Sequence, residues 1–383
     1  MSLILSFYRR ESGCYNDAMS QKGGSILNWM KLVILPLIMA VMFHSTAQAA
    51  DTYSTVNLNG LALMEWPVTV SSYGGKLLLS DSPEMVQGDG IMYQDTVSGS
   101  ARLFFHHVND TKEAKKIMVI VENTGEQTAH ITVSRHGLGG PSLDYLKVGK
   151  DVQQEYMAGG DLYFLDVPAK QSRSLISSLE HCTVEPGMLV NGMYDFEMDQ
   201  PVTVKVMMMA LKDDFTEFAA TAKVLPADAG PYRLRGTFEG KDRLVVGKEV
   251  YDSKKNGSVA LTLADNRIDP YVRGVDATDG TPTINYGNYG IVYTIYLPAA
   301  SGNKAAYYLN PRGGEYAGWL GMEYRHQDED VIPTPAGVTS FGSKKISESA
   351  YLGTYDNGKS LWLTFSPPGA SNLPVKLILT LGT

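Results

Sequence analysis

Residues 116–142, KIMVIVENTGEQTAHITVSRHGLGGPS, constrain the fold more than any other stretch. Positions 117–121 form a continuous apolar run. Asn123-Thr124-Gly125 carries turn chemistry, because Asn and Gly tolerate positive φ. Ile131 and Val133 then alternate with Thr132 and Ser134, the period of a strand with one wet face. The stretch reads as a β-hairpin with a glycine-rich exit. Similar apolar runs flank it, so the expected class is all-β.

The rest of the chain repeats the pattern. GIMYQDTVSG and ARLFFHHVND read as two strands parted at Ser98-Gly99-Ser100. EPGMLVNGMYDFEM reads as a strand pair around Asn191-Gly192, and PVTVKVMMMAL as a further strand. Ser142 is placed to cap a helix that Gly149 interrupts and Gly159-Gly160 stops. Asp213 is placed to cap a short helix, DFTEFAATA. Cys182 reads as a small buried side chain. LPADAGP at 225–231 has linker composition, and beyond it tyrosine becomes frequent. Asp356-Asn357-Gly358 signals a type I′ hairpin. The expected architecture is two β-sandwich domains, Ig/fibronectin-like over 50–224 and jelly-roll-like over 232–383.

An export signal is expected ahead of them. Lys31 precedes an apolar core of twelve residues at 32–43 and an Ala-x-Ala site at Ala47-Gln48-Ala49. That core is short of the roughly 20 residues a bilayer span needs, so no membrane span is expected in the mature chain. Residues 1–49 are therefore set aside as an upstream extension plus signal peptide. The formal net charge is −8, and loss of this leader of net +2 would leave −10. An acidic chain without a basic stripe is a poor nucleic-acid binder. The expected location is extracellular or at the cell surface.

No catalytic motif is present. His106-His107 are adjacent strand residues that point to opposite faces and cannot chelate one metal. His136 lies near Ser142 without a Gly-x-Ser-x-Gly elbow. Asp265, Asp269, Asp276 and Asp279 cluster in LADNRIDPYVRGVDATDG; Asp276 and Asp279 are the candidate calcium ligands. Tyr286, Tyr289, Tyr316 and Trp319 sit among turn residues in NYGNYG and NPRGGEYAGW. Aromatics on loops can stack on the apolar faces of sugar rings, so these four are the candidate ligand-binding residues. Glu315 and Glu323 are possible members of a carboxylate pair.

TVSRHGLGGPSLDYLKVGK and FSPPGASNLPVKLIL, with KVLPAD, RLRGTF, TDGTPTINYGNYG and NPRGGEYAG, resemble a family of uncharacterised exported proteins of Firmicutes. Some of these are labelled copper amine oxidase N-terminal-domain proteins. The label's chemistry does not carry over: Gly287 follows Asn285-Tyr286, and Pro282 stands where the quinone-forming motif needs Thr. The resulting expectation is an exported non-enzymatic module of the cell envelope, with cell-wall glycan or a surface protein as partner. The alternatives are a secreted enzyme acting on envelope polysaccharide and a self-assembling surface subunit.

Overall fold

The computed structural model describes residues 57–382; the expected leader lies outside them. The described strands form three sheets. A large sheet runs through Thr281–Ile284, Arg273–Asp276, Arg235–Glu239, Lys76–Ser80, Gly90–Asn109, Leu189–Ala210, Lys115–Asn123 and Gln171–Ser174. Met85–Val86 joins Gly90–Asn109, Ala129–Ser142 joins Leu189–Ala210, and Tyr163–Val167 joins Ala129–Ser142. The other two sheets face each other as a sandwich. One contains Met64–Glu65, Val259–Leu263, Val375–Leu381, Lys304–Pro311 and Ala350–Asp356. The other contains Asp330–Thr334, Gly318–Tyr324, Leu361–Phe365, Val292–Tyr296, Asp242–Gly247 and Val68–Tyr73. The fold is all-β.

Several expected turns prove to be something else. Lys115–Asn123 and Ala129–Ser142 do not pair with each other. They run head to tail along one edge of Leu189–Ala210, the first opposite 203–210 and the second opposite 189–198. The Asn123 side chain explains why the turn does not reverse the chain. Its Oδ1 accepts from Gly125 N at 2.9 Å, and its Nδ2 donates to Gln127 O at 2.7 Å and Val167 O at 2.8 Å. The segment loops out and rejoins the same edge. Likewise Gly99, at φ +71°, lies within one 20-residue strand rather than between two. Asn191-Gly192 lies inside Leu189–Ala210, where a Cβ on Gly192 would stand 2.3 Å from the Phe105 ring. The Asp356-Gly358 turn is a corner, not a hairpin: Ala350–Asp356 and Leu361–Phe365 belong to opposite sheets of the sandwich.

The partition at 225–231 also differs from the expected one. Met64–Glu65 and Val68–Tyr73 belong to the sandwich, while Arg235–Glu239, Arg273–Asp276 and Thr281–Ile284 extend the large sheet. The cause is Lys76–Ser80, which is apolar on both faces. Leu78 enters one core with Leu103, Phe105 and Tyr194, and Cys182 is buried in that core too. Leu77 and Leu79 enter the sandwich core with Phe104 and Met193. Parting the halves would expose these four side chains, at about 1.5–3 kcal/mol each. Alternate residues of the large sheet thus serve two cores.

The helix Tyr145–Met157 lies at this junction. Asp144, not Ser142, caps it, accepting from Lys147 N at 3.1 Å. Gln153 donates to Ser366 O and accepts from Trp319 N. Lys150 Nζ donates to the carbonyls of Pro335, Val338 and Thr339. Gly149 sits inside the helix because a Cβ there would stand 2.0 Å from Gly369 O. The second short helix, Phe215–Thr221, is capped by Asp214. On an open helix face, Gly→Ala gains about 1 kcal/mol. Gly149→Ala should instead lose about 1–3 kcal/mol, the range for overpacking a tight contact. Urea denaturation of the variant measures this, and a stability equal to or above the parent's would refute the close approach.

Candidate site at the sheet–sandwich junction

The face of the large sheet that meets the sandwich carries a column of cross-strand pairs: Arg102 with Asp195, Phe104 with Met193, and His106 with Asn191. Its first pair is fully satisfied. Arg102 Nε and Nη2 donate to Asp195 Oδ1 and Oδ2 at 2.5 and 2.8 Å, and Nη2 lies 2.9 Å from Asp242 Oδ1. Nη1 donates to the carbonyls of Lys241 and Gly290. Lys241 Nζ and Tyr156 Oη complete the shell of Asp195 Oδ2 at 3.2 and 3.1 Å. Burial works to raise the Asp195 carboxyl; Arg102 and Lys241 outweigh it and hold it below the ordinary carboxylate range.

The other end of the column is different. His106 is 3% exposed, and its Nδ1 has no hydrogen-bond partner; neither has Asn191 Oδ1. Both atoms approach Gly369, where a Cβ would stand 2.9 and 2.6 Å from them. His106 Nε2 lies 3.9 Å from Glu84 Oε1. Beside it, Asp81 is buried with Oδ1 unpartnered. Asp228 braces the 82–84 turn: its Oδ2 accepts from Ser82 Oγ at 2.9 Å and Glu84 N at 3.0 Å. Burial, then Glu84 and Asp228, push the Asp81 carboxyl well up. Burial and Asp228 raise Glu84 as well.

His107 faces the opposite side, as strand alternation requires. Its Nδ1 contacts Pro83 O at 2.9 Å, and its Nε2 contacts Ser80 Oγ at 2.7 Å. A carbonyl only accepts, so Nδ1 carries the proton and Nε2 accepts from Ser80. Burial lowers both imidazoles, His106 to about 3 and His107 to about 4.

Tyr289 links this acidic group to an aromatic one. Its hydroxyl donates to Ser371 O at 2.8 Å and is raised by burial, then by Asp81, Tyr271 and Glu84. Four residues before it, Asn285 closes the turn by accepting from Tyr289 N at 2.9 Å and donating to Tyr289 O at 2.8 Å. That turn presents Tyr286 edge-on to Tyr232 at 4.8 Å and to Tyr271 at 5.7 Å. Tyr232 is 69% exposed.

The expected site residues therefore separate. Tyr286 and Tyr289 belong to this junction. Tyr316 is fully buried in the sandwich core against Phe341, to which its backbone is joined by an isolated two-bond bridge, and it offers no surface to a ligand. Trp319 is half-buried beside the helix Tyr145–Met157. The calcium pair is also corrected. Asp276 is 2% exposed, with Oδ2 on Arg235 Nε at 2.8 Å and Oδ1 on Thr278. A calcium ion there would face a buried guanidinium. Asp279 Oδ1 accepts from Thr281 N and Oγ1 within its own turn. Asp269 pairs with Arg243 and Tyr293, and Asp265 caps the amides of 267–269. Among the described residues no group of three His, Cys, Asp or Glu side chains is arranged to hold a metal ion. Asp81, Glu84, Asp228, Tyr232 and Tyr271 escaped the sequence reading.

No protein-family profile and no curated protein sequence match the chain. Among solved structures, the CUB1-EGF-CUB2 domain of human MASP-1/3 overlaps 76% of this chain and 99% of its own, at 10% identity and TM-score 0.18. An oxalate decarboxylase mutant from Bacillus subtilis overlaps 80% and 77%, at 9% identity and TM-score 0.11. Oxalate decarboxylase from Lactobacillus farciminis, in a formate complex, overlaps 81% and 87%, at 9% identity and TM-score 0.12. Overlaps this weak carry no argument about function.

Asp81 keeps its proton in the folded chain where the unfolded chain has lost it. Its contribution to stability therefore falls as pH rises from 3.8 toward the raised value. The two histidines act in the opposite sense, destabilising the fold as pH drops below 6.5. Asp81→Asn should be more stable than the parent near pH ~7 and close to it below pH ~4. Urea titrations at both values check this; a variant less stable at the higher pH would overturn the assignment.

Proposed function

We propose that the chain is an exported, non-enzymatic module of the cell envelope that binds glycan at the Tyr232–Tyr286–Tyr271 cluster. One observation carries the reading: Tyr232, a residue 69% exposed, has its ring held edge-on by a second ring, which a third supports. A fixed, exposed π face suits the apolar face of a pyranose and costs little side-chain entropy on binding.

A second reading is hydrolysis of envelope polysaccharide. Glycosidase chemistry needs two carboxyl groups whose environments push them apart, one protonated and one ionised. Asp81 and Glu84 are both pushed upward. That pattern suits recognition better than an acid–nucleophile pair.

Affinity electrophoresis of the purified protein in gels containing isolated wall glycan tests the choice. Tyr232→Ala and Tyr286→Ala should each weaken retention about 5- to 10-fold, the loss of one stacking contact of about 1–1.4 kcal/mol. Trp319→Ala should leave it unchanged. Wild-type retention in both tyrosine variants would remove the cluster from the binding site. Reducing-end release that disappears in Glu84→Gln would favour the enzyme.

A further inference from the structure

A second site lies on the sandwich at the Asp356-Gly358 corner. There the 301–304 loop, the 356–359 corner, Lys254 and the strand end at Leu381 and Gly382 surround a groove of about 470 Å³. The walls are held in place. Asn357 N donates to Asn303 O at 2.8 Å, and Gly382 N donates to Lys304 O at 3.0 Å. Gly358, at φ +77°, presses against Ser301, where a Cβ would stand 2.7 Å from the serine Cβ.

The charge of the groove opposes that of the chain, whose net charge is −8. Lys254, Lys304 and Lys359 line it, and none of their ammonium groups has an ion pair or hydrogen bond among the described residues. The one acid in the lining, Asp356, already accepts from Arg325 at 2.7 Å and Tyr324 Oη at 3.3 Å. Asn357 is 5% exposed, and its Nδ2 has no partner. Three unpaired cations around one groove favour an anionic ligand, whose charge meets theirs.

We propose that this groove binds a phosphomonoester of a small polar molecule, a sugar phosphate in class. The three lysines that line the groove meet the charge of the phosphate. Lysines act as separate point charges, which suits a tetrahedral dianion; a planar carboxylate is better matched by an arginine fork. The volume falls within the roughly 300–1,000 Å³ of small-molecule sites and exceeds what phosphate alone fills.

Calorimetric titration of the purified protein with glucose 6-phosphate, inorganic phosphate and glucose tests this. The first two should bind and compete, and glucose should not. Lys304→Gln and Lys359→Gln, which remove exposed charges without touching the core, should each weaken glucose 6-phosphate about 5-fold or more, the worth of one near charge. Glucose 6-phosphate binding no better than glucose would overturn the proposal. So would wild-type affinity in the Lys304→Gln/Lys359→Gln double variant, or affinity lost in Tyr232→Ala instead.

Discussion

The structure depends on how Arg102 is buried. A guanidinium 2% exposed is tolerable only when its donors and charge are met. Here the partners come from separate parts of the chain: Asp195 from the paired long strand, Asp242 and the Lys241 carbonyl from the sandwich, and the Gly290 carbonyl from the tyrosine turn. Tyr156, from the junction helix, lies 5.5 Å from the guanidinium, ring centre to Cζ. Satisfying one arginine therefore fixes the helix, the large sheet and the sandwich relative to one another. Loss of Asp195, which meets two of the arginine's nitrogens, would leave much of that charge buried without compensation, at about 3–5 kcal/mol.

The same network explains which parts of the fold the sequence made legible. Strand character was readable wherever apolar residues alternated or ran together, as at 117–121 and 202–206, because that pattern is local. Pairing was not. Asn123-Thr124-Gly125 and Asp356-Asn357-Gly358 have the residues of tight hairpins, yet one loops out along a single edge and the other rounds a corner between sheets. Turn chemistry specifies backbone dihedrals, not which strand receives the next residue. The linker at 225–231 misled for a related reason. Its composition is that of an exposed connection, but the strand after it pairs with Lys76–Ser80, far away in sequence.

Legibility at the candidate site follows the same division. Tyr286 and Tyr289 stood out because asparagine and glycine surround them, and those neighbours do build their turn. Tyr316 and Trp319 have the same neighbours, yet the strand that follows turns them toward the core and the junction helix. Asp81, Glu84 and Asp228 were invisible as a group because 146 positions separate Ser82 from Asp228. Ser82-Pro83 interrupts the local strand pattern, but nothing near it in sequence points to Asp228. Tyr232, next to Pro231, looked like the end of a linker until the fold placed Tyr286 against it.

Polar groups on the buried face of the large sheet divide by whether the fold completes their hydrogen bonds. At Arg102 and Asp195 every charge is met, and the pair serves cohesion. Two positions along the same strands, Phe104 and Met193 are apolar and serve packing. Beyond them His106 Nδ1 and Asn191 Oδ1, with Asp81 Oδ1 nearby, lack partners. An orphaned buried polar atom costs about 1–3 kcal/mol, comparable to what burying an apolar side chain contributes. Leucine or methionine at His106 would leave no such atom, as Met193 leaves none next door, whereas Asn191 Nδ2 still donates to Phe105 O at 2.6 Å. The hydrogen bonds of His106, Asn191 and Asp81 are left incomplete where those of Arg102 and Asp195 are complete. That separates the Asp81–His106 end of the column from the Arg102 end, although both are buried, polar and on the same pair of strands.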